Sequence, residues 1–479
     1  MKRFCPYLWL MPAICVALLL LLVGCRKSPK EKGNFPPKNT QVALDSTNLP
    51  IVFLNVDGRR IMRSRRLKAR MTVINNGEGK MSYADTLTHP NQNADYCGTV
   101  AIRYRGQSSY RMAPKKPYSI KLKNARGKKI KQSLMGMNAD NDWALMSAYS
   151  DLSLMRDLLA FELARPYMPF VPQGRFCELV VDGIYYGVYI MMERNSAGVH
   201  RLAITSPEKR AEALTGDYYV EIDRKDEHSI ISKRPALSSS GEANDSAWIY
   251  YNLKIPKYDD LSDEQRNYVA KAIERMEDAL ATTSYDNALG YRKWVNVLSL
   301  IDYQIASELC HNVDAYRLSM GLVKRRDSED PRFFATLWDM NLGYGNCNRF
   351  GADRTDTWMW QNNDVLMAAG DENYVPFWWH RLMADPGYVS ALKARWRQCR
   401  QEAYSTRNIH ALIDSMATVL SAHGAQQRNF KAWPSWNRYI NPIPYIASGY
   451  DDEIRYMKDW IDRRLAFMDK ELLGAALDP

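Results

Sequence analysis

The sequence predicts an α+β protein of two lobes, a β-rich N-terminal lobe and a helical C-terminal lobe. Three observations lead there. Between residues 49 and 223 the apolar residues come in short β-prone runs divided by turn-rich stretches. Beyond 223 they recur at helical spacing in long segments. With 479 residues, 46% of them hydrophobic, the chain can bury a core large enough for two or three domains or lobes.

The chain opens on Lys2 and Arg3, runs through apolar LWLMPAICVALLLLLV and reaches LVGC at Cys25. A short charged start, an apolar run and a small-residue site predict a signal segment over residues 1–24. The alternative is a transmembrane anchor, but the run ends in a Cys and not in a stop-transfer cluster. The LVGC spelling resembles a bacterial lipobox, which implies a lipid on Cys25 and an extracytoplasmic place in the cell envelope. Arg26 is not the Asp that retains some lipoproteins at the inner membrane, so the outer membrane is expected. Residues 25–48, charged and Pro-containing, read as a flexible tether.

From 49 to 223 the runs LPIVFLNV, ARMTVIN, GTVAIRYRG and KKPYSIKLK predict antiparallel strands, and NNGEGK reads as a hairpin turn. In PYSIKLK, Tyr118, Ile120 and Leu122 share one face, with Ser119, Lys121 and Lys123 on the other. Such a lysine suits a phosphate, and a solvated basic face is the alternative. SDLSLMRDLLAFELARP predicts a helix capped by Ser150 or Asp151 and ended before Pro166. Arg156 in its first turn opposes the helix dipole, so it needs an anionic partner. RFCELVVDGIYYGVYIMMER reads as a hairpin turning at Asp182-Gly183 with a strand ending on Glu193, and DYYVEID adds a strand.

Residues 224–350 form a helical region and a hairpin. A helix capped by Ser262 and the mostly apolar WVNVLSLIDYQIASELC lead to Asp314; RLSMGLV and RFFATLWDM then flank a charged loop and end at Asp339. Two carboxylates at the ends of a hairpin, together with substrate phosphates, are a usual ligand set for Mg²⁺. A turn at Asp314 and an arginine partner for Asp339 are the plainer reading. Residues 351–479 read as a helical C-terminal region whose aromatics Trp358, Trp360, Trp378 and Trp379 would suit sugar stacking if exposed, although such residues are more often core.

The formal charge of +11 suits acidic partners such as nucleotides, acidic or phosphorylated proteins, glycans and anionic lipids. Its spread along the chain, without basic and aromatic residues interleaved, argues against nucleic acid. Of eight cysteines, Cys97, Cys177, Cys310, Cys347 and Cys399 remain once the signal and Cys25 are set aside. They contain no C-x-x-C pair, which argues against a zinc site and allows at most two disulfides.

RGQSSYRMAPKKPYSIKLK, SDLSLMRDLLAFELA, LVVDGIYYGVYIMMER and NVDAYRLS followed by LWDMNLGYGN resemble, in order, the spore-coat protein H (CotH) kinase family. No Walker A, HRD or DFG string is present. The resemblance implies an atypical, two-lobed protein-kinase-like fold, with ATP and Mg²⁺ or Mn²⁺ as cofactors and a hydroxyl of an envelope or secreted protein as phosphate acceptor. It implies that Lys121, or its rival Lys116, grips phosphates, that Arg156 and Glu193 line the nucleotide site, that Asp314 is the catalytic acid-base residue and that Asp339 holds the metal. The chain departs from the family pattern at Asn341, where W-D-x-D has its second acid, and at Ser319, where an Asn is expected. Both can still offer an oxygen to a metal, with less negative charge. These departures and the four tryptophans support the alternative, a non-catalytic envelope lipoprotein that binds a protein or glycan.

Overall fold

A computed structural model describes residues 34–205, 214–282 and 290–474. The expected signal, Cys25 with its expected lipid, and the start of the tether lie outside the described residues. The rest of the tether, 34–48, is folded. Val42 and Leu44 are buried, Asn39 N–H bonds Ala432 O at 3.2 Å, and β1 (Ser46–Thr47) pairs with β4 (Ser82–Tyr83). These apolar side chains, with Phe35 packed on the barrel core, give this stretch a core contact that its mostly polar composition masks.

Seven strands close a barrel: β2 (Ile51–Asn55), β3 (Leu67–Ile74), β5 (Ala94–Tyr104), β6 (Tyr118–Lys123), β7 (Asp142–Met146), β9 (Ile184–Glu193) and β8 (Gly174–Val181), in that order around the wall. The pairings are antiparallel except β2 with β8, which run parallel from Ile51 opposite Glu178. That one long-range pairing joins the two ends of the sheet, so no edge is left open. Alternation fills the interior with Val52, Met71, Val100, Ile120, Trp143 and Tyr189. The Asp182-Gly183 turn has positive φ at both residues, 47° and 81°, as a two-residue hairpin of this twist requires. Asn76-Gly77, expected as a tight hairpin, instead opens the longer excursion 75–93 that carries β4, and β3 pairs with β5 beyond it.

A second sheet, all antiparallel, has the order β11 (Ile230–Ile231), β12 (Tyr250–Ile255), β10 (Tyr218–Ile222), β13 (Met320–Lys324), β14 (Phe333–Thr336). The expected hairpin is therefore one side of a five-stranded sheet. That sheet crosses the expected boundary at 223, since β10 pairs with both β12 and β13.

The helices are α1 (Ser108–Met112), α2 (Arg156–Ala164), α3 (Asp263–Ala281), α4 (Val297–Cys310), α5 (Asn363–Ala368), α6 (Trp378–Ala384), α7 (Pro386–Gln401), α8 (Thr406–Ser421), α9 (Ala425–Ala432) and α10 (Tyr450–Leu473). Ser262 caps α3 with a full capping box, its side chain accepting from Gln265 N–H. In α2 the cap position is Met155, because the Asp151 carboxylate reaches past it to the N–H groups of Ser153 and Arg156. Trp378 and Trp379 are 1% and 0% exposed and Trp360 is buried, so for these three the core reading holds and sugar stacking does not. Trp358 packs on Phe467, with Arg464 over its ring. All five described cysteines are free thiols.

Candidate functional site

The candidate site lies where one edge of the five-stranded sheet meets the barrel. Ile222 at the end of β10 stands opposite Met320 at the start of β13, and Gly321 stands opposite Thr336 at the end of β14. The chain segments entering and leaving this edge carry Asp223, Asp314 and Asp339. Asp339 takes φ 61°, a left-handed conformation costly for a residue with a Cβ, and two long-range bonds hold it there. Asn312, just past α4, donates Nδ2 to Asp339 O at 3.1 Å, and the next peptide, Met340 N–H, donates to Asp157 Oδ1 on α2 at 2.8 Å.

Among the described residues no hydrogen bond or ion pair reaches the Asp339 carboxylate. Burial, then the nearby Asp314 charge, push its acid up to about 6 against the pull of Arg105. Asp314 accepts from Arg317 Nη2 at 3.3 Å, yet burial still raises it above the usual carboxylate value. Asp157, deeper, is pushed up to about 8, by burial first and Asp339 second. Asp223 faces Arg224 at 3.6 Å and is close enough to raise both Asp314 and Asp339.

The barrel supplies the cations. Lys121 on β6 is 3.2 Å from Asp142 Oδ2, and Arg194, just past β9, lies 3.0 Å from both Asp142 oxygens. Arg105, just past β5, joins the two groups. It lies over the Trp338 ring at 5.2 Å, and its guanidinium, lowered by burial and by Arg194, is pulled back by Asp339, Asp142 and Asp157. Asn195 Nδ2 donates to Tyr219 OH at 2.8 Å across the same seam.

Of the residues named from sequence, Lys121, Asp314 and Asp339 share this region. Ser319, at φ 57°, and Asn341 flank it, and their side chains make no hydrogen bond among the described residues. Three expected nucleotide-site residues are placed otherwise. Lys116 is buried, donating to Tyr110 O at 2.6 Å and Ala113 O at 2.5 Å under Phe35. Arg156 does have its anionic partners, Asp151 and Glu453, each at 2.7 Å, but it is fully buried between them. Glu193 is buried, accepting from Arg201 at 2.5 Å and Gln173 N–H at 3.0 Å. Paired charges sealed from water are not free to meet a phosphate. Sequence reasoning assigned no site role to Asp157, Asp223, Arg105, Asp142 or Arg194. The available signals were Asp157 beside an arginine already singled out, and Asp223 ending the run DYYVEID.

Among the described residues no three His, Cys, Asp or Glu side chains form a ready cation cage. Two neighbouring acids still fit Mg²⁺, which takes one or two carboxylates and completes its shell with phosphates and water. Cavities of about 740 Å³ on the barrel wall and about 500 Å³ beside Arg292 and Arg332 lie away from these acids.

The family model described as CotH kinase protein matches residues 102–468. No curated protein matches the chain.

Proposed function

Because the chain belongs to the CotH kinase family, we propose that it is a two-lobed, kinase-like phosphotransferase, anchored in the cell envelope by lipid on Cys25, that moves phosphate from ATP to a hydroxyl of an envelope or secreted protein. One observation carries the reading. Arg105 feels both Asp339, which neighbours Asp314, and the barrel group of Asp142 and Arg194 to which Lys121 is paired, and the Asp339 carboxylate has no partner among the described residues.

Lys121, already turned to an acid, would exchange Asp142 for a phosphate oxygen, and Arg194 keeps Asp142 neutralised when it does. Arg105, fixed over Trp338, offers a second cation to the same phosphates. Asp314, oriented by Arg317, accepts the proton of the attacking hydroxyl, and its raised pKa suits a group that must hold and release that proton. Asp339, with Asn341 and Ser319 beside it, would hold Mg²⁺ or Mn²⁺. When bound, that cation neutralises charge on the phosphate oxygens.

The full chain tests this with ATP in the presence and absence of Mg²⁺ or Mn²⁺. Expected are a metal-dependent rise in melting temperature and γ-phosphate self-labelling. A folded protein showing neither ends the reading. Cell fractionation tests the anchor: Cys25→Ala is expected to leave the membrane fraction, and retention by an uncleaved helix would contradict lipidation. The glycan-binding alternative loses the support of its aromatics, since three of the four tryptophans are core.

A further inference from the structure

The outer wall of the barrel beside Lys121 carries a second feature. Strand register sets the outward residues of β3, β5 and β6 in rows: Lys68, Ala101 and Lys121 in one, Arg70, Thr99 and Lys123 in the next, with Arg103 beside Ser119 on the other side. Lys68, Arg70 and Arg103 are exposed and Lys123 is half-buried, and none of the four has an ion-pair partner among the described residues. The residues between them are small, so the cations stand clear. No carboxylate occurs on β3, on β6, or on β5 from Cys97 to Tyr104. Five cations thus share one face, and it begins at the lysine placed at the phosphates.

We propose that this face is the docking platform for the acceptor, an acidic, extended polypeptide segment. The inference rests on the phosphotransferase reading and adds the substrate class to it. Cations two residues apart on a strand, Lys68 and Arg70 or Lys121 and Lys123, repeat at about 6.6 Å, which is also the same-side repeat of an extended peptide. Carboxylates at alternate positions of such a peptide therefore meet successive cations in register. The platform then runs through Arg70 and Thr72 into the groove of about 740 Å³, lined also by Val42, Leu44, Phe53 and Tyr185, which fits an apolar side chain of the same segment. That pairing of charge with an apolar socket suits a polypeptide. It suits a membrane surface poorly, because the large exposed apolar residues, such as Leu87 and Val199, lie off these strands and leave nothing on this face to insert. Hydroxyls carried on the segment would be delivered toward Asp314, past Lys121.

Fluorescence anisotropy on the full chain tests the platform without requiring catalysis. The probes are a labelled peptide alternating Glu and Ser with a terminal Leu, its Lys-for-Glu counterpart, phosphatidylserine vesicles and a single-stranded oligonucleotide. The Glu peptide is expected to bind, to weaken with added salt, and to bind tighter than every other probe. Arg70→Glu with Arg103→Glu is expected to weaken it by about tenfold or more, since two exposed attractions become repulsions. The ATP-Mg²⁺ melting shift should be unchanged in that variant, which also shows that it is folded. Should the double reversal fail to fold, Lys68→Ala with Lys123→Ala serves, with a smaller loss expected in the same direction. Equal affinity for the Glu and Lys peptides, no effect of either double variant, or tighter binding to vesicles or oligonucleotide overturns the proposal. Glu-peptide binding without any ATP shift would sink the phosphotransferase reading and leave the platform standing; an ATP shift without peptide binding does the reverse.

Discussion

At the residue scale, Asp339 is a carboxylate that the fold makes uncomfortable. Its acid is raised to about 6, so it favours the folded state fully below the unfolded value near 4 and loses that contribution as pH rises through 6. Asp157, raised to about 8, extends the same downward trend to higher pH. At neutral pH the ionised Asp339 is therefore a cost, discounted by its partial exposure to about 1 kcal/mol. Asp339→Asn is expected to leave the unliganded protein equally stable or more stable by about that amount, and to flatten urea-melt stability between pH 4 and 6. The metal-dependent ATP shift should disappear. A destabilised variant with its ATP shift intact would mean that Asp339 is a structural residue and not a metal ligand.

At the scale of elements, one side chain makes two of the bonds that hold the barrel to the C-terminal helices. Asn429 on α9 accepts from Val188 N–H on β9 at 3.1 Å and from Lys115 Nζ at 2.8 Å. It approaches so closely that a Cβ on Gly187, at φ 98°, would lie 2.5 Å from Asn429 Oδ1. Lys115 is buried without a carboxylate, which lowers it to about 7, and it also donates to Val188 O. Asn429→Ala strands one backbone donor and weakens the hold on a buried amine, so a loss of about 2–4 kcal/mol is expected in denaturant melts. A loss below 1 kcal/mol would show that the helix docks by apolar contact alone. Lys115 and Asn429 could not be paired from the sequence, because nothing local marks an amine whose partner is 314 residues away.

For the whole molecule, buried ion pairs tie early segments to late ones. Arg156 meets Glu453, Glu308 meets Arg464, and Glu178 meets Arg428. Removing one partner leaves a charge sealed from water, so Glu453→Ala is expected to cost about 3–5 kcal/mol. With barrel and helices linked at several points, the unsubstituted protein should unfold in one transition by both near-ultraviolet circular dichroism and tryptophan fluorescence. Two separated transitions would instead make the barrel an independent unit.

The local features were legible in the sequence by itself. Alternation in PYSIKLK placed Tyr118, Ile120 and Leu122 on one face and Lys121 on the other, Ser262 announced its helix, and the ordered motifs named the family that matches residues 102–468. Each is written within one or two turns or strands, where periodicity and capping act. Partner choice was decided only in three dimensions. The parallel register of β2 on β8 closed the barrel, β10 joined the sheet that carries Asp314 and Asp339, and Lys116, Arg156 and Glu193 were drawn into buried contacts while Asp157 and Asp223 came to the site. A charged side chain takes the role its neighbours allow, and those neighbours come from segments hundreds of residues apart, brought together by burial of the apolar faces and not by anything next to the residue in the chain.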